Sequence, residues 1–473
     1  MKKNISRLIT TIVILFSLFS STSCDDYLNV LPKGSKIPKT LADFEAFLRD
    51  EYSNQTTNVE QAIILLNDRY VTVANLNYYP LQKANYNWDE TANRIELNSS
   101  DESTYYMQYK TINTCNLIIE YAPTATEATE AQKNELMAYA KVIRSMSYYV
   151  LVNFYADTYQ ASTASSELGV PLIESANLGA PYEQVTVKKI YDYIIQNVTE
   201  AIPYLPNFGT TPLHPGLGAA YAFLARVYLT MCDYTNAAKY ADLALGINNQ
   251  LYDWTAFYAA NKTQIENAAS YTRLIDPCNY TFVENYNYRH GATYYSAAEN
   301  PVPIARIALF EQGDARCKAR WKLYTAGNDT YYYSTLTGYH NYGGYTTTEV
   351  YLIKAECQAR EDKLSDAMNT LNAVRKKRII PEFYQDLTAA SKADAIAKIR
   401  RTKDNEMLFS IVPFADARRF NAEGTYANTR TFSKVVGTTT VTLSPTSHMW
   451  TMPFPKGATD NPGNGTITQN VDK

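Results

Sequence analysis

The sequence predicts a mainly α-helical protein, assembled from antiparallel helix hairpins of the tetratricopeptide kind and interrupted by a loop-rich, irregular subdomain. Three observations predict it. Apolar residues recur at i, i+3, i+4 and i+7 through most of the first half, the spacing of one buried helix face. Two hairpin-like segments, 219–245 and 348–374, align at a constant offset: Tyr221 with Tyr351, Ala225 with Ala355, Tyr234 with Leu364, Ala237 with Ala367, Ala241 with Leu371. Between them, residues 247–345 turn to Tyr, Asn, Thr and Gly with few long periodic stretches, the texture of long loops, short helices and a hairpin.

Taken in order, the chain opens on Lys2, Lys3 and Arg7, followed by an apolar run from Leu8 to Phe19. That is the layout of a secretory signal peptide, too short for a confident transmembrane helix. Ser21, Thr22 and Ser23 then lead into Cys24, which resembles the lipobox of bacterial lipoproteins, where the peptide is cut before a cysteine that is then acylated. We therefore expect residues 1–23 to be removed and Cys24 to carry the lipid (palmitate-type chains) that anchors the protein to a membrane.

Helices are expected at 103–120, 131–157, 187–204, 217–230 and 234–246, and again near 388–410. A connection as short as Cys232-Asp233 makes its neighbours an antiparallel pair. Alanines at the matched hairpin positions let two helices approach closely, as in tetratricopeptide repeats. A short β-hairpin is expected in FSKVVGTTTVTLS, within a polar tail that begins near residue 423. The expected organisation is a leader at 1–23, a helical region at 24–246, a loop-rich ligand-binding insertion at 247–345 and a C-terminal region at 346–473.

Composition removes several function classes. A formal net charge of −3 leaves no basic surplus to neutralise phosphates, so nucleic acid is not an expected partner. Beyond the leader no apolar run approaches the length of a membrane span. The cysteines after Cys24 form no CxxC pair and are odd in number, against a disulfide scaffold. Cys115, Cys232 and Cys357 fall in helical patterns and read as small apolar residues; Cys278 and Cys317, in irregular sequence, are left open as a pair. Histidines at 214, 290, 340 and 448 are scattered, and HExxH, GxSxG, GxxxxGK[ST] and GxGxxG are all missing. No catalytic residue, metal or cofactor is expected. The run RKKR at 375–378 reads as a solvated helix C-terminus favoured by the helix dipole.

The outlier is tyrosine, with 41 against 16 phenylalanines and 4 tryptophans. A tyrosine ring combines an apolar face with a hydroxyl, which suits it to stacking on polar ligands such as sugar rings. Two stretches mix such rings with carboxylates and arginines. The first, 67–90, holds Asp68, Arg69, Tyr78, Tyr79, Trp88 and Asp89. The second, 286–295, holds Tyr286, Tyr288, Arg289, Tyr294 and Tyr295. These are the candidate glycan-binding residues.

Six segments in order resemble the SusD/RagB-like outer-membrane lipoproteins: CDDYLNVLPKG; NELMAYAKVIRSMSYYVLVNFYADTYQ; LGVPLIES with VTVKKIYDYIIQNVTEAIPYLP; the hairpin at 219–245; TEVYLIKAECQAR with AMNTLNAVRKKR; and MPFPKGATDNPGNGTITQN. In TKDNEMLFSIVPFADARRFN, Glu406, Phe409, Asp416, Arg418, Arg419 and Phe420 fit the family, whereas Thr402, Ser410, Ile411 and Pro413 depart from it; we read this stretch as a diverged, buried packing motif. The resemblance implies a SusD-like α-helical fold and a binding protein rather than an enzyme. It further implies a lid on a SusC-like TonB-dependent β-barrel transporter, capturing oligosaccharide or polysaccharide at the outer face of the outer membrane. Asp25 and Asp26 look like the surface-export signal that follows the acylated cysteine. The alternative is a peptide- or protein-binding scaffold lipoprotein on the same kind of transporter.

Overall fold

The fold is seen in a computed structural model that describes residues 38–48, 58–98, 103–267, 274–290, 301–426 and 430–471. The leader, Cys24, Tyr294 and Tyr295 lie outside the described residues.

Short helices α1 (Leu41–Leu48), α2 (Glu60–Leu65), α3 (Val73–Tyr78), α4 (Pro80–Asn87) and α5 (Arg94–Leu97) lead to the long pair α6 (Ser103–Tyr121) and α7 (Glu130–Tyr155). A capping box starts α7: the Thr129 hydroxyl accepts from the Gln132 N–H and the Gln132 side chain accepts from the Thr129 N–H. From Ala138 onward nearly every residue of α7 is buried, because α6 and α8 (Val187–Ala201) cover it on two sides. A small antiparallel ribbon, β1 (Leu168–Leu172) with β2 (Glu183–Thr186), joins α7 to α8.

The first repeat is α9 (Leu217–Thr230) and α10 (Tyr234–Ile247). The central region follows with α11 (Trp254–Glu266), β3 (Leu274–Ile275), β4 (Asn285–Asn287), α12 (Ile304–Ile307) and α13 (Ala315–Arg320). After these come the hairpin β5 (Trp321–Ala326) with β6 (Asp329–Ser334), and then β7 (Leu336–Thr337) and β8 (Tyr345–Thr346). The second repeat is α14 (Thr347–Arg360) and α15 (Leu364–Arg375), backed by α16 (Lys392–Glu406) and α17 (Val412–Glu423). The chain ends on the ribbon β9 (Ser433–Val436) with β10 (Thr439–Thr442) and the short α18 (Lys456–Asp460).

The offset seen in the sequence holds in three dimensions. Both first helices and both second helices of the repeats begin at matched positions, and the turns match as well: Cys232 and Asp362 each take a left-handed φ, of 60° and 63°. Ala237, Ala241, Ala355, Ala359 and Ala367 are fully buried at the crossings, where a larger side chain would force the helices apart. The hairpins stack on each other, with Lys354 paired to Asp242 at 2.6 Å and the Arg360 guanidinium 4.4 Å from the Tyr234 ring centre.

Several expectations change. Cys232 is an exposed turn residue, not a buried helical one, because the second helix starts only at Tyr234 with Asp233 as its cap. Cys278 and Cys317 are free thiols. The helix expected over 388–410 spans Lys392–Glu406: the Ser391 side chain caps its start, and a left-handed Phe409, φ 69°, turns the chain just after its end. The RKKR run is the largest correction. Lys376 is exposed, but Arg375 and Arg378 are buried; Arg378 bonds Glu284 at 2.8 Å, Glu406 at 3.1 Å and the Thr348 hydroxyl at 2.6 Å.

One core cluster runs from Leu41 to Ala458 and draws on residues before 247, between 247 and 345, and after 346. The segment that departs from the family pattern is part of this packing, with Leu408, Phe409, Ile411 and Phe414 in the core. Arg418 donates to the carbonyls of Asn153 and Ala156 at the C-terminal end of α7, where a cation is favoured. Among the described residues no helix is long and apolar enough to cross a membrane.

Candidate ligand surface

The β5–β6 hairpin follows from its sequence. Alternating β-formers on each arm flank the two-residue loop Gly327-Asn328, where Gly327 takes φ +60°, the left-handed conformation such a loop requires. Its register pairs Tyr324 with Tyr331 and Lys322 with Tyr333, so the alternation of side chains puts these residues on one face. Trp321 is buried at the base of the hairpin, edge-on to Phe409.

That face carries a row of rings. Tyr333 and Tyr324 lie 5.7 Å apart between centres, Tyr324 and Tyr331 5.5 Å, and Tyr331 stacks on Tyr70 at 4.9 Å with 24° between planes. The Tyr70 hydroxyl donates to Asp329 at 2.7 Å; burial and this carboxylate together push its pKa up, so it stays a neutral donor. Tyr324 is 44 % exposed, and Tyr331 and Tyr333 are half-buried. Stacked faces beside the Asp329 carboxylate, which alternation places on the same face, match the two needs of a sugar ring, an apolar C–H face and an in-plane hydroxyl partner.

A second aromatic cluster lies at the other end of the undescribed segment 291–300. Tyr280 and Tyr288 are 5.6 Å apart, His290 and Tyr339 5.4 Å, and the Tyr288 hydroxyl donates to the Tyr339 carbonyl at 3.1 Å. Tyr339 is 53 % exposed. The described chain resumes at Pro301 against the first row: the Tyr70 N–H donates to the Pro301 carbonyl, and Val302 bridges to Tyr332.

The residues singled out from sequence divide by burial. Tyr78 and Tyr79 are exposed, at 76 and 48 %, and meet edge-to-face at 4.7 Å. Arg69 is half-exposed and paired to Glu60 at 2.6 Å; Asp89 is exposed and closes its own turn by accepting from Thr91. The others sit in the packing. Asp68 is enclosed by Arg306 at 2.8 Å and Arg430 at 2.9 Å. The Trp88 indole N–H donates to the Leu65 carbonyl at 2.7 Å, and the residue closes α4 in a left-handed conformation, φ 55°. Tyr286 donates to the Asn248 carbonyl, and Tyr288 and Arg289 are buried as well. As placed, these five offer no face to a ring-sized ligand, because all are buried; Asp68, Trp88, Tyr286 and Tyr288 each complete an ion pair or a backbone bond.

Tyr70, Tyr324, Tyr331, Tyr333 and Asp329 escaped the sequence reading. The signal that would have found most of them is the WKLYTAGNDTYYYS palindrome of β-formers about a Gly-Asn loop, which places alternate tyrosines on one face.

Lys434 packs under this region, 4.0 Å from the Tyr86 ring centre and 4.7 Å from that of Trp88, and donates to Asn67 and the Tyr86 carbonyl. Burial pulls its ammonium down to about 7. An unfolded lysine titrates near about 10.4, so between those values the unfolded chain holds a proton that the folded chain has released. Stability should therefore rise as pH rises through that window, whereas below it the folded state bears the full cost of the buried charge. Denaturant titrations at about pH 7.5 and about pH 9.5 check this: the increase should shrink in Lys434→Met.

Asp276, Cys278 and His340 have ligand-type atoms within 4.8 Å of one another, a geometry that suggests a metal. A cation already stands there. The Arg320 guanidinium lies 3.2 Å from Asp276, 3.7 Å from the Cys278 sulfur and 3.3 Å from His340 Nδ1. Arg320 and His340 hold the Asp276 carboxyl well below the usual range, whereas burial pulls the His340 imidazole down. The set is a buried ion pair with a neutral histidine.

Comparison with known proteins agrees with this architecture. A SusD-like family profile, described as starch-binding and associating with the outer membrane, matches residues 26–229. SusD-like protein P2 of Formosa agariphila is 28% identical over 254 residues, 51% of this chain; the match spans only 46% of that relative's length. Among solved structures, a putative sugar binding protein from Bacteroides vulgatus superposes with a TM-score of 0.66 at 17% identity, over 93% of this chain and 100% of that one. A SusD superfamily protein from the same organism reaches 0.67 at 16% identity, over 92% and 99%. Surface glycan-binding protein A from Bacteroides uniformis gives 0.66 at 16%, over 91% and 99%. Residues 26–229 thus match the SusD-like profile, and the fold resembles that of these solved structures over nearly the whole chain.

Proposed function

We propose that this protein is a surface glycan-binding lipoprotein that captures oligosaccharide or polysaccharide and passes it to a SusC-like TonB-dependent transporter. The observation that carries the reading is the tyrosine row Tyr70–Tyr331–Tyr324–Tyr333 with Asp329 beside it, an exposed stacking surface with a carboxylate in reach. The SusD-like profile match over residues 26–229 and the sugar- and glycan-binding names of two structural neighbours support it. In this reading Arg69, Tyr78, Tyr79, Asp89, Tyr294 and Tyr295 are further candidate contacts, and no covalent chemistry takes place.

Native affinity electrophoresis against a polysaccharide panel should retard the protein on at least one glycan. The double substitution Tyr324→Ala/Tyr331→Ala should then weaken binding by roughly tenfold or more, because stacked aromatic contacts dominate such sites. No retardation and no heat of binding on any glycan would sink the proposal; undiminished binding by the double variant would move the site elsewhere. Cys24→Ala should release the protein from the membrane fraction and remove the mass of the acyl chains. A variant that stays membrane-bound at unchanged mass would refute the anchor.

A further inference from the structure

Arg289 is 6 % exposed, and its Nε has no hydrogen-bond partner. Its backbone is pinned on both sides, the N–H donating to Asn341 Oδ1 at 3.0 Å and the carbonyl accepting from the Gly343 N–H at 2.9 Å. The side chain lines a cavity of about 10 Å³ together with Gln108, Ser147, Tyr149, Arg226 and Tyr345. The Ser147 hydroxyl is buried there without a partner. Tyr149 is already bonded to Thr230 at 2.9 Å.

Among the described residues the charges around this cavity do not balance. Arg226 is matched by Glu349, which it meets through Nε and Nη2 at 2.6 Å each, while its guanidinium lies 3.9 Å from the Tyr345 ring centre. That pairing offsets the Glu349 charge with the Arg226 charge. The remaining acidic groups felt by Arg289 are Cys115 and Tyr345, and burial pushes both up to about 12, so both are neutral. An arginine cannot shed its proton to relieve the imbalance, and an unpaired buried charge is strongly destabilising.

We propose that this cavity binds a small monovalent inorganic anion, chloride under ordinary conditions, held by the Arg289 guanidinium with the Ser147 hydroxyl as a second donor. Two arginines exclude a cation. The volume suits a particle about the size of one water and excludes sulfate or phosphate, and a water alone leaves the charge unmatched.

The test is diffraction from crystals of the protein grown with bromide in place of chloride, recorded at the bromine absorption edge. An anomalous peak beside Arg289 Nε is expected. Bromide at surface sites with none in this cavity, or a non-anomalous water in its place, would overturn the proposal. In solution, raising chloride against gluconate at matched ionic strength should shift the melting temperature upward and saturate. Arg289→Gln should abolish the chloride-specific shift. Equal responses to the two salts in the unmodified protein, or an unchanged chloride response in the variant, would also overturn it. If that variant does not fold, bromide diffraction from the unmodified protein decides alone.

Discussion

Replacing Arg378 with methionine should lower the unfolding free energy by about 3–5 kcal/mol, the cost of leaving a buried charge without its partner. Arg378 donates to Glu284 at 2.8 Å and to Glu406 at 3.1 Å, and also to the Thr348 hydroxyl and the Tyr252 carbonyl. Methionine fills much of the space but leaves Glu284, itself buried, without its cation. Arg316 still holds Glu406 at 2.5 Å, so the damage should concentrate at Glu284. Chemical denaturation followed by circular dichroism measures the change. The exposed neighbour supplies the control: Lys376→Ala should stay within about 0.5 kcal/mol of the unmodified protein. If the two substitutions had similar effects, Arg378 would be as solvated as the run RKKR suggests on paper.

Phe154→Ala should cost a comparable amount, about 3–5 kcal/mol, through lost burial and the cavity left behind. Phe154 is fully buried near the end of α7, where its ring meets Phe414 of α17 at 5.7 Å and Tyr155 at 5.8 Å. Its carbonyl accepts from the Met452 N–H at 2.8 Å. The residue thus joins the first helical region to the last. Truncation should shift the whole unfolding transition rather than a local one, so tryptophan fluorescence and far-ultraviolet circular dichroism should move together. Separate transitions would mean that the two halves fold as independent units.

How much of this could be read beforehand depended on whether the information was local. The helices were legible because a buried face repeats every three to four residues, and the paired hairpins because small residues mark both crossings. The end of α16 was not legible: the apolar run continues through Met407 and Leu408, and only the left-handed Phe409 shows that the chain has turned. The same limit governed the candidate site. Trp88 and Asp68 are chemically suited to a sugar, but whether they face solvent depends on Leu65, Arg306 and Arg430, all supplied by other parts of the fold.

Periodicity, the paired hairpins and the ordered segments were thus enough to establish a helical, tyrosine-rich protein with a resemblance to SusD-like proteins, because each is a short-range pattern. Three outcomes belonged to the tertiary structure alone. Tyr70 reaches the β5–β6 hairpin across most of the central chain to complete the ring row. Arg375 and Arg378 turn inward onto Glu311, Glu284 and Glu406 rather than outward to water. Arg289 ends in a cavity that no carboxylate among the described residues lines. In each case the side chain's role depends on a partner far away in sequence. Residue type and spacing determine what a group can do, while the packed fold determines what it meets.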